Sequence, residues 1–335
     1  MTRTRTPDPG GRLWAITCLF NPAGYRVRTG NYRIFRRYLR VPLATVELAF
    51  DEPFCLGPGD ADVLVQLRGG GKMWQKERLL TLAERALPPH CNQVMWIDAD
   101  VIVHDPNWPE EVGRALETSA VVQPFSMVRQ LAPAGVRVPR KPSTVAAMQA
   151  AQSRRELLDS ALDRDSPSPS SGLVWAARRE ILARHGLYDS CIVGGGDTAF
   201  LCAAFGCGED VVHLHNMGPA QTRRYLAWAK AVYEDVRGDV TCLPHEIEHQ
   251  WHGRMQDRQA RQRHLDLRKI GFDPFNDLTL GKNGAWEWGS DRPELHRFVA
   301  EYFALRNEDS FPISDMPFQE SVSSPVEDQV EDPAR

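Results

Sequence analysis

The ten residues VMWIDADVIV, Val94 to Val103, constrain this chain more than any others. The apolar run reads as a strand buried on both faces, the kind found in parallel sheets covered by helices on each side. The acid–x–acid pair Asp98 and Asp100 falls at its carboxyl end. In extended backbone, residues i and i+2 point to the same side, so both carboxylates are expected to face one crevice. Two carboxylates at the edge of a core are costly unless a cation or strong donors compensate. A hard divalent ion with oxygen ligands does so, and such ions commonly hold phosphate oxygens as well. A solvated turn after a strand is the plain alternative, and the apolar flanks on both sides argue against it.

Strand and helix patterns alternate around this segment. Strands are expected at Leu13–Leu19, in LATVELAF, in DVLVQL, at Ala120–Phe125 and in SGLVWAA. Helical spacing appears at Asn31–Leu39 with Asn31 as N-cap, at Trp74–Leu87, and from Trp108–Pro109 with proline in the first turn. It returns in RREILARHG, after the glycine-rich turn of IVGGGDTAFLCAAFG, and from Thr222 onward. Such alternation predicts an α/β fold with a mostly parallel, doubly wound sheet flanked by helices. Ligands in these folds lie outside the carboxyl ends of the strands, where the first-strand loop and the acid pair fall.

The organisation reads as a flexible N-terminus over 1–12, a first half over 13–128 that carries the acid pair, and a second half over 171–307. Residues 129–170 break the rhythm with Pro, Ala, Arg and Ser, and predict an insertion or lid, partly helical around Val145–Leu162. Residues 308–335 are acidic, Pro/Ser-rich and poor in aromatics, and predict a disordered, dispensable tail.

A net charge of −4 gives no global reason to expect nucleic-acid binding. Seven cysteines without CxxC spacing suggest neither a zinc ribbon nor a disulfide scaffold and fit a reducing compartment. No stretch reaches the length of a membrane span, and the basic first residues precede no apolar signal core, so a cytoplasmic protein is expected.

Two motifs are decoys. HEIEH, His245 to His249, matches the zinc-protease pattern HExxH, which needs both histidines on one helical face, about 6 Å apart. Here Ile247, His249 and Trp251 alternate with Glu246, Glu248 and Gln250, as in a strand. A strand would set the two histidines ~13 Å apart. GGGK, Gly69 to Lys72, is not a phosphate-binding P-loop, since Gln66 replaces its first glycine and Met73 follows the lysine.

Four segments, in order, carry a resemblance. They are WQKERLL, then WIDADVIVHDPNW, then SGLVWAARREIL with GLYDSCIVGGGDTAF, and last HQWHG. Together they span most of residues 13 to 255 and resemble GT-A fold nucleotide-sugar glycosyltransferases of the bacterial and phage type, with their DxD motif. The resemblance implies a metal-dependent transferase that uses a nucleoside-diphosphate sugar, with a UDP-sugar favoured. It implies metal ligands Asp98, Asp100 and a late histidine, His252, with His249 as the alternative. Either histidine is equally read as a packed core residue. Imidazole favours Mn²⁺ over Mg²⁺. Asn21, Tyr25 and Arg28 occupy the first-strand loop, where this fold holds the nucleotide.

Asp197 follows three glycines at a helix start, beside free N–H groups that favour anions. It is the candidate base for the acceptor hydroxyl, which implies inversion. The plainer reading is a helix cap. Gly195 and Gly196 are expected to let backbone approach the donor. Lys72, Lys76 and Arg78 offer diphosphate contacts, with Lys72 and Lys76 favoured, although at least two of the three read as a solvated helix face. Trp286 and Trp288 read as a sugar-stacking wall or as core. A nucleotidyltransferase of the same fold and a non-catalytic nucleotide-sugar or glycan-binding protein are the competing functions. The acceptor stays open among a saccharide, a small molecule, a protein and a modified nucleic-acid base.

Overall fold

The computed structural model describes residues 12–132, 140–150 and 169–310. Strands are β1 (Leu13–Phe20), β2 (Leu43–Ala49), β3 (Val63–Arg68), β4 (Gln93–Ile97), β5 (Val101–Ile102), β6 (Val121–Gln123), β7 (Met127–Gln130), β8 (Lys141–Pro142), β9 (Val174–Arg178), β10 (Val240–Cys242), β11 (Glu246–His249), β12 (Leu278–Leu280) and β13 (Trp286–Trp288). Helices are α1 (Arg26–Tyr38), α2 (Lys76–Arg85), α3 (Trp108–Thr118), α4 (Thr144–Ala150), α5 (Arg179–His185), α6 (Gly196–Phe205), α7 (Gly208–Leu214), α8 (Pro219–Val236), α9 (Gln262–Ile270) and α10 (Pro293–Leu305).

The central sheet runs β10-β6-β9-β4-β1-β2-β3. Its pairs are parallel except on the two sides of β9, which runs against β4 and β6. The inner strands β1, β2, β4, β6 and β9 are buried on both faces, as the expected doubly wound arrangement requires, and the edge strands β3 and β10 are partly exposed. Trp14 and Ile16 of β1 pack toward α2 and α6, where Trp96 meets Phe200 edge-on at 4.9 Å. Leu13 and Ala15 point the other way, toward Tyr32 and Phe35 of α1 and Val112 of α3. Because β9 lies between β4 and β6, the halves expected at 13–128 and 171–307 share one sheet.

A second sheet, β5-β11-β7-β8, leans on the carboxyl ends of the first. The HEIEH segment is a strand there, antiparallel to β5 with His249 opposite Val101. β7 crosses the expected start of the 129–170 insertion, so Met127–Gln130 belongs to the body of the fold. Of the helix expected at Val145–Leu162, α4 supplies the first part, and residues 151–168 lie outside the described residues.

α1 begins five residues earlier than its expected N-cap. Asn31 is not a cap but sits on the buried stripe with Val27 and Phe35, at helical i, i+4 spacing. Its Nδ2 donates to the Trp251 carbonyl at 2.9 Å, and Gln250 donates back to the Asn31 carbonyl at 3.0 Å. A buried amide that clamps the segment after β11 needs the helix to run past it. The expected tail at 308–335 also starts too early, because Glu308 is almost fully buried. Residues beyond 310 lie outside the described residues.

Candidate metal and donor site

A cleft of about 360 Å³ opens at the carboxyl ends of β1 and β4. β4 stops at Ile97, and the acid pair occupies the turn that follows rather than extended strand. The turn closes through Val101 N–H on the Asp98 carbonyl at 3.2 Å. Asp98 N–H donates to the Leu173 carbonyl at 2.8 Å, which ties the turn to the start of β9. Both acids line the cleft, yet they serve different clusters.

Asp100 joins His249 and His252. One ligand atom from each lies within 4.8 Å of the others. His249 Nε2 is 3.4 Å from Asp100 Oδ1, His252 Nε2 is 3.3 Å from Asp100 Oδ2, and the two Nε2 atoms are 3.0 Å apart. β5–β11 pairing causes this, since Gln250 N–H reaches the Asp100 carbonyl at 2.8 Å and brings the histidines alongside. The residue sequence reasoning offered as an alternative, His249, therefore stands beside His252, while Asp98 leaves the group.

The cluster has the chemistry of a divalent metal site. Asp100 Oδ1 is buried and lacks a hydrogen-bond partner among the described residues. Gln130 Oε1 lies 2.6 Å from His249 Nδ1, which places the proton on Nδ1 and frees the Nε2 lone pair. Burial, helped by Arg258, lowers the His252 pKa to about 4, so its ring is neutral at pH 7. Arg258 Nη2 donates to His252 Nε2 at 2.8 Å, a positive group already drawn to this spot. It must give up that bond when a metal takes the same lone pair.

Asp98 belongs to a second cluster, built on Lys76. Lys76 Nζ bridges Asp98 Oδ1 at 2.6 Å and Asp197 Oδ2 at 2.9 Å. Burial opposes its charge, but the two aspartates outweigh burial and hold the amine protonated. Burial pushes the Asp98 carboxyl up to about 6, with Lys76 pulling the other way. Asp197 stands in the first turn of α6 but makes no capping hydrogen bond, because its carboxylate is spent on Lys76. The cap reading is thus not what the geometry shows.

The glycines ahead of Asp197 divide. Gly195 lines the cleft, whereas Gly196 packs on Glu77 inside the protein. A Cβ at Gly196 would lie 2.1 Å from Glu77 Oε1, so the glycine admits a buried acid rather than a donor. Sequence reasoning passed over Glu77. Burial pushes its carboxyl from the ordinary 4.5 up to about 8, with Lys76 opposing. Across that window the folded protein holds a proton that the unfolded chain releases, so stability falls as pH rises. Glu77→Gln is expected to flatten this slope. Urea midpoints measured across the window check it, and parallel curves for the two proteins would show that Glu77 carries no such proton.

Other expected donor contacts lie elsewhere. Asn21 closes its own loop by accepting from Tyr25 N–H at 2.9 Å and donating to the Tyr25 carbonyl at 2.8 Å. Tyr25 Oη accepts from Asn307 N–H at 2.9 Å and reaches the Ala304 carbonyl at 2.7 Å. Lys72 pairs with Asp51 at the surface. None of the three lines the cleft, because local turn and strap contacts consume their polar groups. Arg78 is a buried partner of Asp189 and of the Gly284 carbonyl, so of the three basic residues only Lys72 is solvated. Trp286 is core and Trp288 stacks on His296, which leaves no sugar wall there.

Arg28 does line the cleft, in company that the sequence did not announce. Arg258, Arg263 and Arg306 come from the C-terminal part, and Glu308 sits among them. Their signal in the sequence is the density of Arg, His and Trp between Thr241 and Arg306.

No helix among the described residues is long and apolar enough to cross a membrane. No protein-family model matches the chain, and no curated protein matches it in sequence. Solved structures do show a likeness in arrangement. TarS of S. aureus in complex with UDP is 10% identical over 91% of this chain and 74% of its own, with a TM-score of 0.38. The mannosyltransferase PcManGT from Pyrobaculum calidifontis, in complex with GDP-Man and Mn²⁺, is 14% identical over 90% of this chain and 89% of its own, with a TM-score of 0.35. Glucosyl-3-phosphoglycerate synthase from Mycobacterium tuberculosis, in complex with Mn²⁺, UDP and phosphoglyceric acid, is 14% identical over 85% of this chain and 90% of its own, with a TM-score of 0.38.

Proposed function

We propose that the protein is a metal-dependent glycosyltransferase that moves a sugar from a nucleoside-diphosphate sugar, a UDP-sugar by preference, to an acceptor hydroxyl. The observation that carries this reading is the meeting of two clusters in one cleft. Asp100, His249 and His252 form a site for a divalent cation, and Lys76 with Asp197 lines the same cleft. Two imidazoles and one carboxylate suit Mn²⁺ better than Mg²⁺. When bound, the ion neutralises the negative charge that grows on the departing diphosphate.

The chain's own residues do the rest. Arg263 and Arg306 give the cleft positive charge for phosphate oxygens, and Arg258 adds its own once a metal displaces it from His252. Asp98 holds Lys76 in place at the donor's edge. Asp197 takes the proton of the acceptor hydroxyl, held in position by its bond to Lys76. A base on the face opposite the leaving group makes the reaction inverting.

Incubation with a panel of UDP- and GDP-sugars, with Mn²⁺ or with a chelator, tests the proposal. Release of nucleoside diphosphate from one donor, present with Mn²⁺ and lost with chelator, is the expected result. Neither cleavage nor thermal stabilisation with any donor would overturn the enzyme reading.

A further inference from the structure

We propose that Glu308 is a positioning residue for the metal centre, orienting His252 and fixing which of its nitrogens carries the proton. The inference deepens the glycosyltransferase reading and rests on its metal assignment.

His252 Nε2 faces Asp100 and His249, so Nε2 is the ligating atom and Nδ1 must hold the proton. A metal-binding histidine characteristically gives that second N–H to a carboxylate, carbonyl or water, which sets the ring's orientation and raises its basicity. Glu308 Oε1 lies 3.7 Å from His252 Nδ1. The other close group, Arg258 Nη2 at 3.5 Å, has no lone pair to offer. Glu308 thus offers the acceptor on that side at ion-pair range, one short ring movement from a hydrogen bond, where Gln130 already stands at bonding distance from His249.

The carboxylate is held rigidly for this task. Arg28 grips it in a two-pronged pair at 2.7 and 2.8 Å, and Arg306 Nε adds a third bond at 2.5 Å. Its side chain has no solvent exposure. Burial disfavours its charge, but Arg28, His252 and Arg306 outweigh burial and keep the carboxyl well below the usual range. The backbone is fixed as well. Asp309 accepts from Arg26 N–H and Val27 N–H, both at 2.9 Å, and so covers the start of α1. On the histidine side, Gly253 has φ +90°, and a Cβ there would lie 2.8 Å from the Arg306 carbonyl oxygen and 3.2 Å from Glu308 Cα. Only glycine lets the His252 turn and the 306–308 backbone pack this closely.

Mn²⁺ binding, alone and with UDP, is the measurement, followed by the electron-spin-resonance signal of free Mn²⁺. Glu308→Gln keeps the shape and removes the charge, and its Mn²⁺ affinity is expected to fall about 10- to 100-fold. Asp309→Asn disturbs the same segment without facing His252, and its affinity is expected to match the wild type even where its urea midpoint drops. Equal affinity in Glu308→Gln and wild type would overturn the positioning role alone, as would equal losses in both variants. A wild-type protein that binds no Mn²⁺ with or without UDP would overturn the metal reading itself. Should Glu308→Gln not fold, Glu308→Asp keeps a carboxylate for Arg28 and Arg306 but draws it back from His252, and carries the same comparison.

Discussion

Asp100→Ala is expected to abolish Mn²⁺-dependent UDP binding while leaving the fold in place. Asp100 is the single carboxylate of the three-residue cluster, and the two remaining imidazoles are neutral ligands. Loss of a direct anionic ligand exceeds the 10- to 100-fold usual for a supporting residue, so a fall in affinity above about 100-fold is expected. The fold survives because Asp100 lies in a turn at the cleft, outside both hydrophobic clusters. Calorimetry with UDP, with and without Mn²⁺, reads the effect, and circular dichroism confirms the fold. Unchanged affinity would remove Asp100 from the metal site.

Asp197→Asn is expected to lower turnover by roughly 10²-fold or more, the scale of losing a general base. Donor affinity should change little. The asparagine oxygen still accepts from Lys76 Nζ, now 2.9 Å from Asp197 Oδ2, so shape and one hydrogen bond persist while proton affinity is lost. Single-turnover rates, measured beside donor binding, separate the two effects. Near-normal turnover would show that Asp197 only anchors Lys76, and the inverting stereochemistry would fall with it.

Six of the seven strands of the main sheet were legible because each carries a local apolar run, whereas β10, three half-buried residues at the sheet edge, carries none. The start of α1 was not legible either. Its first turn, Arg26 to Gly30, is largely polar, and Asn31 has the chemistry of a cap. Only the Trp251 carbonyl, 220 residues away, shows why an amide belongs inside. The acid pair was legible for the same local reason, but its division was not. Which acid meets the histidines depends on the pairing of β5 with β11, and which meets Lys76 depends on α2 lying against β1.

Asn21 and Tyr25 show the opposite failure. Polar groups in a loop at a strand's end look free in sequence, yet here the loop's own geometry uses them. Glu308 was hidden by averaging. The composition of residues 308–335 disfavours a core, but one acidic residue at its edge is buried by Arg28, 280 positions earlier.

That separation sets a timetable for the protein's own manufacture. Arg28 leaves the ribosome early and its partner Glu308 comes 280 residues later, a wait of about 14 to 56 s at 5–20 residues per second. During that interval the main sheet has all its strands in hand long before α1 receives Asp309 at its N-terminus or His252 receives its carboxylate. Any chain released before residue 308 carries the acid pair and both histidines without the carboxylate that stands beside His252. Synthesis thus completes the scaffold before the Glu308 carboxylate can reach the Asp100, His249 and His252 cluster.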